Sequence, residues 1–167
     1  MSPDQVLTIT HFLLATTRQE ATITAKVIAA VPDDKSDYRS DPKARTAREL
    51  AWHIAYTDVW FLESIVAGEF QMTGEPVPPE VKTIADMAAW YEKNMAATAD
   101  RVAALPPEKL AQPVNFLGAF NFPAGFYLGF LNNHMIHHRG QLSCYLRPMG
   151  SKVPSIYGGS ADEPMDM

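Results

Sequence analysis

The stretch Phe126 to Met149, FYLGFLNNHMIHHRGQLSCYLRPM, constrains the whole chain, because it reads as one long helix and carries three of the five histidines. Leu128, Leu131, Met135, Leu142, Tyr145 and Leu146 recur at three- and four-residue spacing and mark one wide apolar face. His134 and His138 are four apart, so they stack about 6 Å along the axis on the side of Leu131 and Leu142. Two imidazoles on a buried stripe need a shared reason to be there.

A divalent metal supplies that reason. Neutral imidazole binds Zn, Ni, Fe and Co, and an i, i+4 pair can aim two nitrogens at one ion about 2 Å from each. A pair alone is incomplete, and His53 is the best third candidate. It lies in Thr46 to Gly68, where Leu50, His53, Ile54, Thr57, Phe61 and Ile65 define an inward stripe. Facing helices of a bundle commonly build a metal centre in this two-plus-one way. Spacing alone leaves two alternatives open: a hydrogen-bonded histidine cluster without metal, and unrelated surface histidines. His137 competes with His138 as the partner of His134 at i, i+3. His138 aligns better with Leu131, Leu142 and Tyr145, which leaves His137 to the helix flank, solvent or a subunit interface.

At 167 residues and 47% hydrophobic, the chain can form one core and is short for two domains. A single domain over 1–157 with a flexible tail over 158–167 is expected. A net charge of −5 from 14 basic and 19 acidic residues argues against a phosphate-backbone surface. With no basic cluster interleaved with aromatics, no nucleic-acid partner is expected. Cys144 is the only cysteine, which excludes an intrachain disulfide and fits a reducing compartment. MSPDQVLTITHF has neither a positive lead nor an unbroken apolar run, and no stretch reaches membrane-spanning length. A soluble, cytoplasmic protein without a membrane partner is expected.

In chain order, Ser2 caps a first helix running from Pro3 to Ala30, with Leu7, Phe12, Leu14, Ile23, Val27 and Ile28 as its apolar positions. His11 on that helix has no ligand role. Pro32 ends it, and Asp33 to Arg45 is a polar connector without a core pattern. Thr46 and Glu49 form a capping box for the second helix, which Gly68 closes. Glu49 and Asp58 flank His53 and could support it from behind, but Glu49 serves the cap better and Asp58 is expected to face solvent. Glu69 to Pro79 is a loop passing near the bundle mouth. Thr83 caps a third helix reaching Ala104, whose Tyr91 is expected to pack in the core, at the rim or along a pocket wall. Leu110 to Pro123 is expected to fold as a hairpin or ordered loop across one bundle end, burying Phe116, Phe120 and Phe122. Trp52, Trp60 and Trp90 read as core or interface aromatics. Val153, Ile156 and Tyr157 are expected to pin the first part of the tail.

Three anchors stand in order: LAWHIA at Leu50–Ala55, NHMIHHRGQ at Asn133–Gln141, and Tyr145–Leu146–Arg147 followed by Gly150 and Pro154. Together they resemble the DinB/YfiT-like metalloenzyme family, over nearly the entire chain. The resemblance implies an all-α, up-up-down-down four-helix bundle with a long crossover connection, usually homodimeric. It further implies one divalent ion, Zn or Ni, held by His53, His134 and His138, with no catalytic residue assigned beyond the metal centre. Relatives of this kind include mycothiol-dependent maleylpyruvate isomerase and transferases that join small thiols to electrophiles. The favoured expectation is therefore a metal-dependent S-transferase that moves bacillithiol, mycothiol or glutathione onto a small electrophilic substrate. A metal-dependent hydrolase, a thiol-dependent isomerase, a non-catalytic metal sensor and a structural homodimer are the alternatives. Arg139 and Gln141 are expected at helix-end, dimer or pocket contacts, and Arg147 at the tail or on an anionic substrate. Cys144 is expected to be inert or partly buried, the reactive sulfur coming from the thiol.

Overall fold

Each of the first three long helices starts where a side chain can close its first turn. Ser2 with Gln5, Thr46 with Glu49, and Thr83 with Asp86 form complete capping boxes at α1 (Pro3–Ala29), α2 (Ala47–Ala67) and α3 (Ile84–Ala103). Gly68 ends α2 in the left-handed region, at φ 75°, where a residue without a Cβ is favoured. A short α4 (Pro107–Ala111) leads to an antiparallel hairpin of β1 (Pro113–Phe116) and β2 (Phe120–Pro123). The last helix, α5 (Tyr127–Leu146), has no side-chain cap; it enters and leaves through single 3-10 turns at Ala124–Phe126 and Arg147–Met149. The computed structural model describes residues 1–164.

Contacts between helix ends give the topology. Asp33, just past α1, accepts from the Ile84 N–H that opens α3 at 2.9 Å and pairs with Arg48 in the first turn of α2 at 3.7 Å. Ser151, just past α5, donates to the Ala30 carbonyl at 2.6 Å. The ends of α1 and α5 therefore meet the beginnings of α2 and α3. The fold is the expected all-α four-helix bundle, with α1 and α2 each packed against both α3 and α5. Its directions run up-down-down-up, in place of the up-up-down-down order that the resemblance implied. Since α2 and α3 run parallel, residues 68–83 must return the length of α2, about 31 Å for its 21 residues. They form the long crossover.

The apolar stripe of α5 is buried at all six positions expected from its spacing. α1 behaves differently. Phe12 is 72% exposed, whereas Thr10, Thr17 and Thr24 are fully buried along one seam. The Thr10 hydroxyl donates to the Val6 carbonyl of its own helix at 2.8 Å, leaving its methyl face to the seam, while the Thr17 hydroxyl lies 2.9 Å from the Leu13 carbonyl and 2.8 Å from the Asn132 side-chain oxygen of α5. Against Thr10 comes Gly125, where an added Cβ would lie 2.0 Å from the threonine hydroxyl oxygen. The turn into α5 can approach α1 only because that Cβ is missing.

Phe116 packs inward against Phe61, Phe70 and Tyr127. Phe120 and Phe122, expected to be buried, are 44% and 39% exposed. They occupy one side of β2 and pack on Phe130, with Phe122 also reaching the edge of Tyr127 and Phe120 that of Phe116. In the C-terminal segment expected to be loose, Ser160 and Asp162 hydrogen-bond to Val153, and Glu163 to Ser155. Its last three residues, 165–167, lie outside the described residues. Among the described residues, no helix is long and apolar enough to cross a membrane.

Arg139 is 1% exposed, and its guanidinium holds the Glu20 carboxylate across the α1–α5 seam at 2.6 Å. The Tyr157 hydroxyl closes the group, donating to Glu20 at 2.8 Å and accepting from Arg139 at 2.6 Å, so the tail is pinned through the tip of a largely exposed ring. Removing one member of a buried pair strands the other charge. Glu20→Ala should lower unfolding free energy by about 3–5 kcal/mol, and an apolar double replacement, Glu20→Met with Arg139→Met, should recover most of that loss. Urea denaturation of the three proteins checks the ordering, which a surface-like pair would not produce.

Candidate metal centre

His53 sits in the second turn of α2 and His134 and His138 on one face of α5. The two helices run antiparallel, so the three imidazoles meet in the groove between them. Ring centroids are 4.4 Å apart for His134 and His138, 4.7 Å for His53 and His138, and 5.1 Å for His53 and His134. One nitrogen from each ring lies within 4.8 Å of the others.

The other nitrogen of each ring is already engaged. His134 Nδ1 lies 2.8 Å from Asp58 Oδ1, His53 Nδ1 2.6 Å from Glu75 Oε1, and His138 Nδ1 2.7 Å from Gln141 Oε1. Carboxylate and amide oxygens accept, so each Nδ1 carries the proton and each neutral ring keeps a lone pair on Nε2. The Nε2 atoms of His53 and His134 are 3.3 Å apart. With no proton between them, these lone pairs repel unless a cation lies between. Two nitrogens bound to one tetrahedral ion at about 2.0–2.1 Å would be about 3.3–3.4 Å apart, so the observed separation fits a shared ion. The three histidines can hold one divalent metal, each backed by an oxygen that fixes its tautomer.

Burial keeps these rings neutral. It pulls His134 and His138 down to about 4, and lowers His53 despite the opposing Glu75 carboxylate. Glu75 sits below its usual range: burial works against this, but the hydrogen bonds from Arg45 and His53 outweigh it. Burial pushes Asp58 well above its usual range, opposed by the hydrogen bond from the Tyr91 hydroxyl at 2.9 Å. A cation on the far nitrogen of His134 would act in the same direction as Tyr91 and favour the carboxylate.

Glu75 reaches His53 because α2 grips the crossover. Trp52 and Trp60 indoles donate to the Glu75 and Gln71 carbonyls at 3.0 and 2.9 Å, and the Tyr56 hydroxyl meets Thr73 Oγ1 at 2.7 Å. The helix side chains come every four residues and their partners every two. The crossover therefore runs back along α2 from Gln71 to Glu75, with Gly74 supplying a left-handed turn of backbone, φ 72°, just before Glu75.

The chain matches the model of the DinB family over residues 5–165. It belongs to the DinB family. A Bacillus subtilis (strain 168) relative, "Uncharacterized protein YrdA", is 30% identical over 158 residues, covering 93% of this chain and 92% of that one. A DinB-like protein from Bacillus cereus ATCC 10987 superimposes with a TM-score of 0.72 at 26% identity, over 87% of this chain and 95% of that one. The DinB-like protein YjoA of Bacillus subtilis shares the fold with a TM-score of 0.69 at 22% identity, over 85% of this chain and 95% of that one.

Other residues of this DinB-family chain divide clearly. Asp58, expected to face solvent, is fully buried behind His134. It falls at helical spacing with Ile54, Phe61 and Ile65, and that register carried the signal. Gln141 is one turn beyond His138. Glu75 has no local signal, since a Gly- and Pro-containing loop brings it in from 22 residues away. Glu49 caps α2, with its carboxylate 2.7 Å from the Thr46 N–H. His137 is exposed and touches the cluster only edge-on through His138. Cys144 is exposed rather than partly buried, because position 144 continues the outer face of α5 set by His137 and Gly140. Arg147 pairs with Asp162 at 3.0 Å, and His11 is exposed. Cavities of about 170 Å³ beside His53 and about 520 Å³ beside His138 adjoin the centre.

Asp58→Asn and Tyr91→Phe should each lower metal affinity by about 10–100-fold with all three histidines intact, as measured by chelator competition. The metal-free protein should also be acid-sensitive within a defined window. The histidines' folded values near 4 lie below the ordinary 6.5, so the unfolded chain binds more protons between them. The contribution of these two histidines to stability is therefore fully present above about 6.5 and is lost as pH falls toward about 4. Melting temperatures across that range should show the decline, and His134→Gln should flatten it.

Proposed function

We propose that this chain is a divalent-metal-dependent enzyme, with Zn or Ni held by His53, His134 and His138, that transfers a low-molecular-weight thiol to a small electrophile. The observation that carries the reading is the convergence of His53, His134 and His138, one ring nitrogen of each within 4.8 Å of the others, with every Nδ1 tied to Asp58, Glu75 or Gln141. A bound ion supplies Lewis acidity, lowering the pKa of a thiol or water at an open position. The chain's own residues do the holding and orienting. Asp58, fixed by Tyr91, keeps His134 in one tautomer, Glu75 does so for His53, and Gln141 for His138. The cavities beside His53 and His138 leave room for a thiol and an electrophile on the open side of the groove.

In the reaction the thiol gives its proton to solvent and its sulfur forms a bond to carbon. The carbon–halogen bond breaks with loss of halide, or an epoxide carbon–oxygen bond opens and the oxygen takes a proton from solvent. Cys144 does not supply the nucleophile in this reading, since among the described residues no base is hydrogen-bonded to its exposed thiol. A reducing cytoplasm would keep the small thiol available, and a homodimer is the expected assembly.

Purified protein should carry about one Zn or Ni per chain, and alanine at each of His53, His134 and His138 should remove it. Incubation with bacillithiol, mycothiol or glutathione plus chlorinated or epoxide electrophiles should give a thioether by mass spectrometry, with at least about a hundredfold loss on chelation. Hydrolysed electrophile without incorporated thiol would replace the transferase reading with a hydrolase. Stoichiometric metal without turnover would replace it with a sensor.

A further inference from the structure

The connector between α1 and α2 looks featureless in sequence, yet it walls a cavity of about 640 Å³ next to the histidine groove. Arg39, Lys43, Arg45 and Arg48 line this recess against two acids, Glu49 and Glu75. Both acids are engaged. Glu49 closes the Thr46 capping box, and Glu75 holds His53 and Arg45. Arg48 also has partners, the Lys82 carbonyl and Asp33. Arg39 and Lys43 have no hydrogen-bonded or ion-paired side-chain partner among the described residues.

This is a local reversal of sign in a chain of net charge −5. Like charges around a hollow repel one another, and an anion placed among them relieves that repulsion while adding charge-assisted hydrogen bonds. The remaining wall includes Trp52, Val77 and Met87, so the recess offers an apolar side as well as a cationic one. Its size suits a small molecule.

The recess also connects to the centre. Ala44 and Arg45 line both it and the cavity onto which His138 and Gln141 face, while Glu75 lines both it and the cavity beside His53. A molecule with its charged end among the arginines can extend its other end past Arg45 toward the histidines. We infer that this recess binds the oxyanion head, carboxylate or phosphate, of a small amphiphilic substrate whose reacting end lies at the three-histidine centre. The assignment of that end rests on the proposed metal chemistry; the recess itself does not.

Phenylacetate and its neutral isostere phenylacetamide test the inference on the full-length protein by NMR titration. Phenylacetate should bind saturably, with shifts in the Trp52 indole and the 39–48 backbone, and phenylacetamide should not. Arg39→Gln and Lys43→Gln should each weaken binding about tenfold, with metal content and circular dichroism unchanged. Phenyl phosphate provides the second arm, and the tighter of the two anions names the head group. Equal binding of the neutral isostere, or affinity untouched by both substitutions, overturns the recess. Phenylacetate binding should persist in His53→Ala, whereas its loss there would assign the anion to the metal centre and overturn the recess. Failure of the recess in protein that still holds its ion leaves the metal reading standing. Persistent anion binding in protein that takes up no ion does the opposite.

Discussion

An imidazole that has given its one proton to an oxygen behind it has only a lone pair left in front. Three such rings aimed at one another form an arrangement that neutral histidines would not hold by themselves. Asp58, Glu75 and Gln141 create that condition here, and they come from a helix interior, a crossover loop and a helix surface. The site is therefore set by the oxygens as much as by the nitrogens. Removing the acceptors would let the rings turn over and satisfy each other, and the preference for a cation would weaken.

The bundle's topology serves this condition. Because α2 and α3 run parallel, the chain has to travel back along α2, and the Trp52, Tyr56 and Trp60 ladder holds it there in register. Glu75 arrives at the end of that ladder, opposite His53. The same carboxylate holds Arg45 at 2.9 Å, joining the crossover to the connector before α2. Two otherwise independent loops are thereby fixed over the groove.

Much of this was legible in the chain itself. The α5 stripe, the caps at Ser2, Thr46 and Thr83 and the i, i+4 spacing of His134 and His138 are local patterns, and the structure places the stripe and the caps as read. The α1 seam was hidden because threonine counts as polar, although a hydroxyl bonded to its own helix leaves a methyl surface that packs like a small apolar residue. Asp58 was misplaced for a related reason: its register marked it as inward, while its charge suggested water. Glu75 could not be found at all, since its partner lies on another element and nothing in a loop's composition specifies where it docks. The helix directions were hidden because the connectors before α2 and after it are both long, and either could have been the one that spans the bundle.

Support for His53 through a loop residue makes ion occupancy and loop docking two sides of one equilibrium. A bound ion would favour the ring orientation that Glu75 stabilises and would so tighten the crossover against α2. By reciprocity, whatever loosens the crossover weakens the hold on the ion by the same factor. The tryptophan indoles that grip the loop backbone would thereby influence how firmly the three histidines hold an ion, although neither indole bonds to an imidazole.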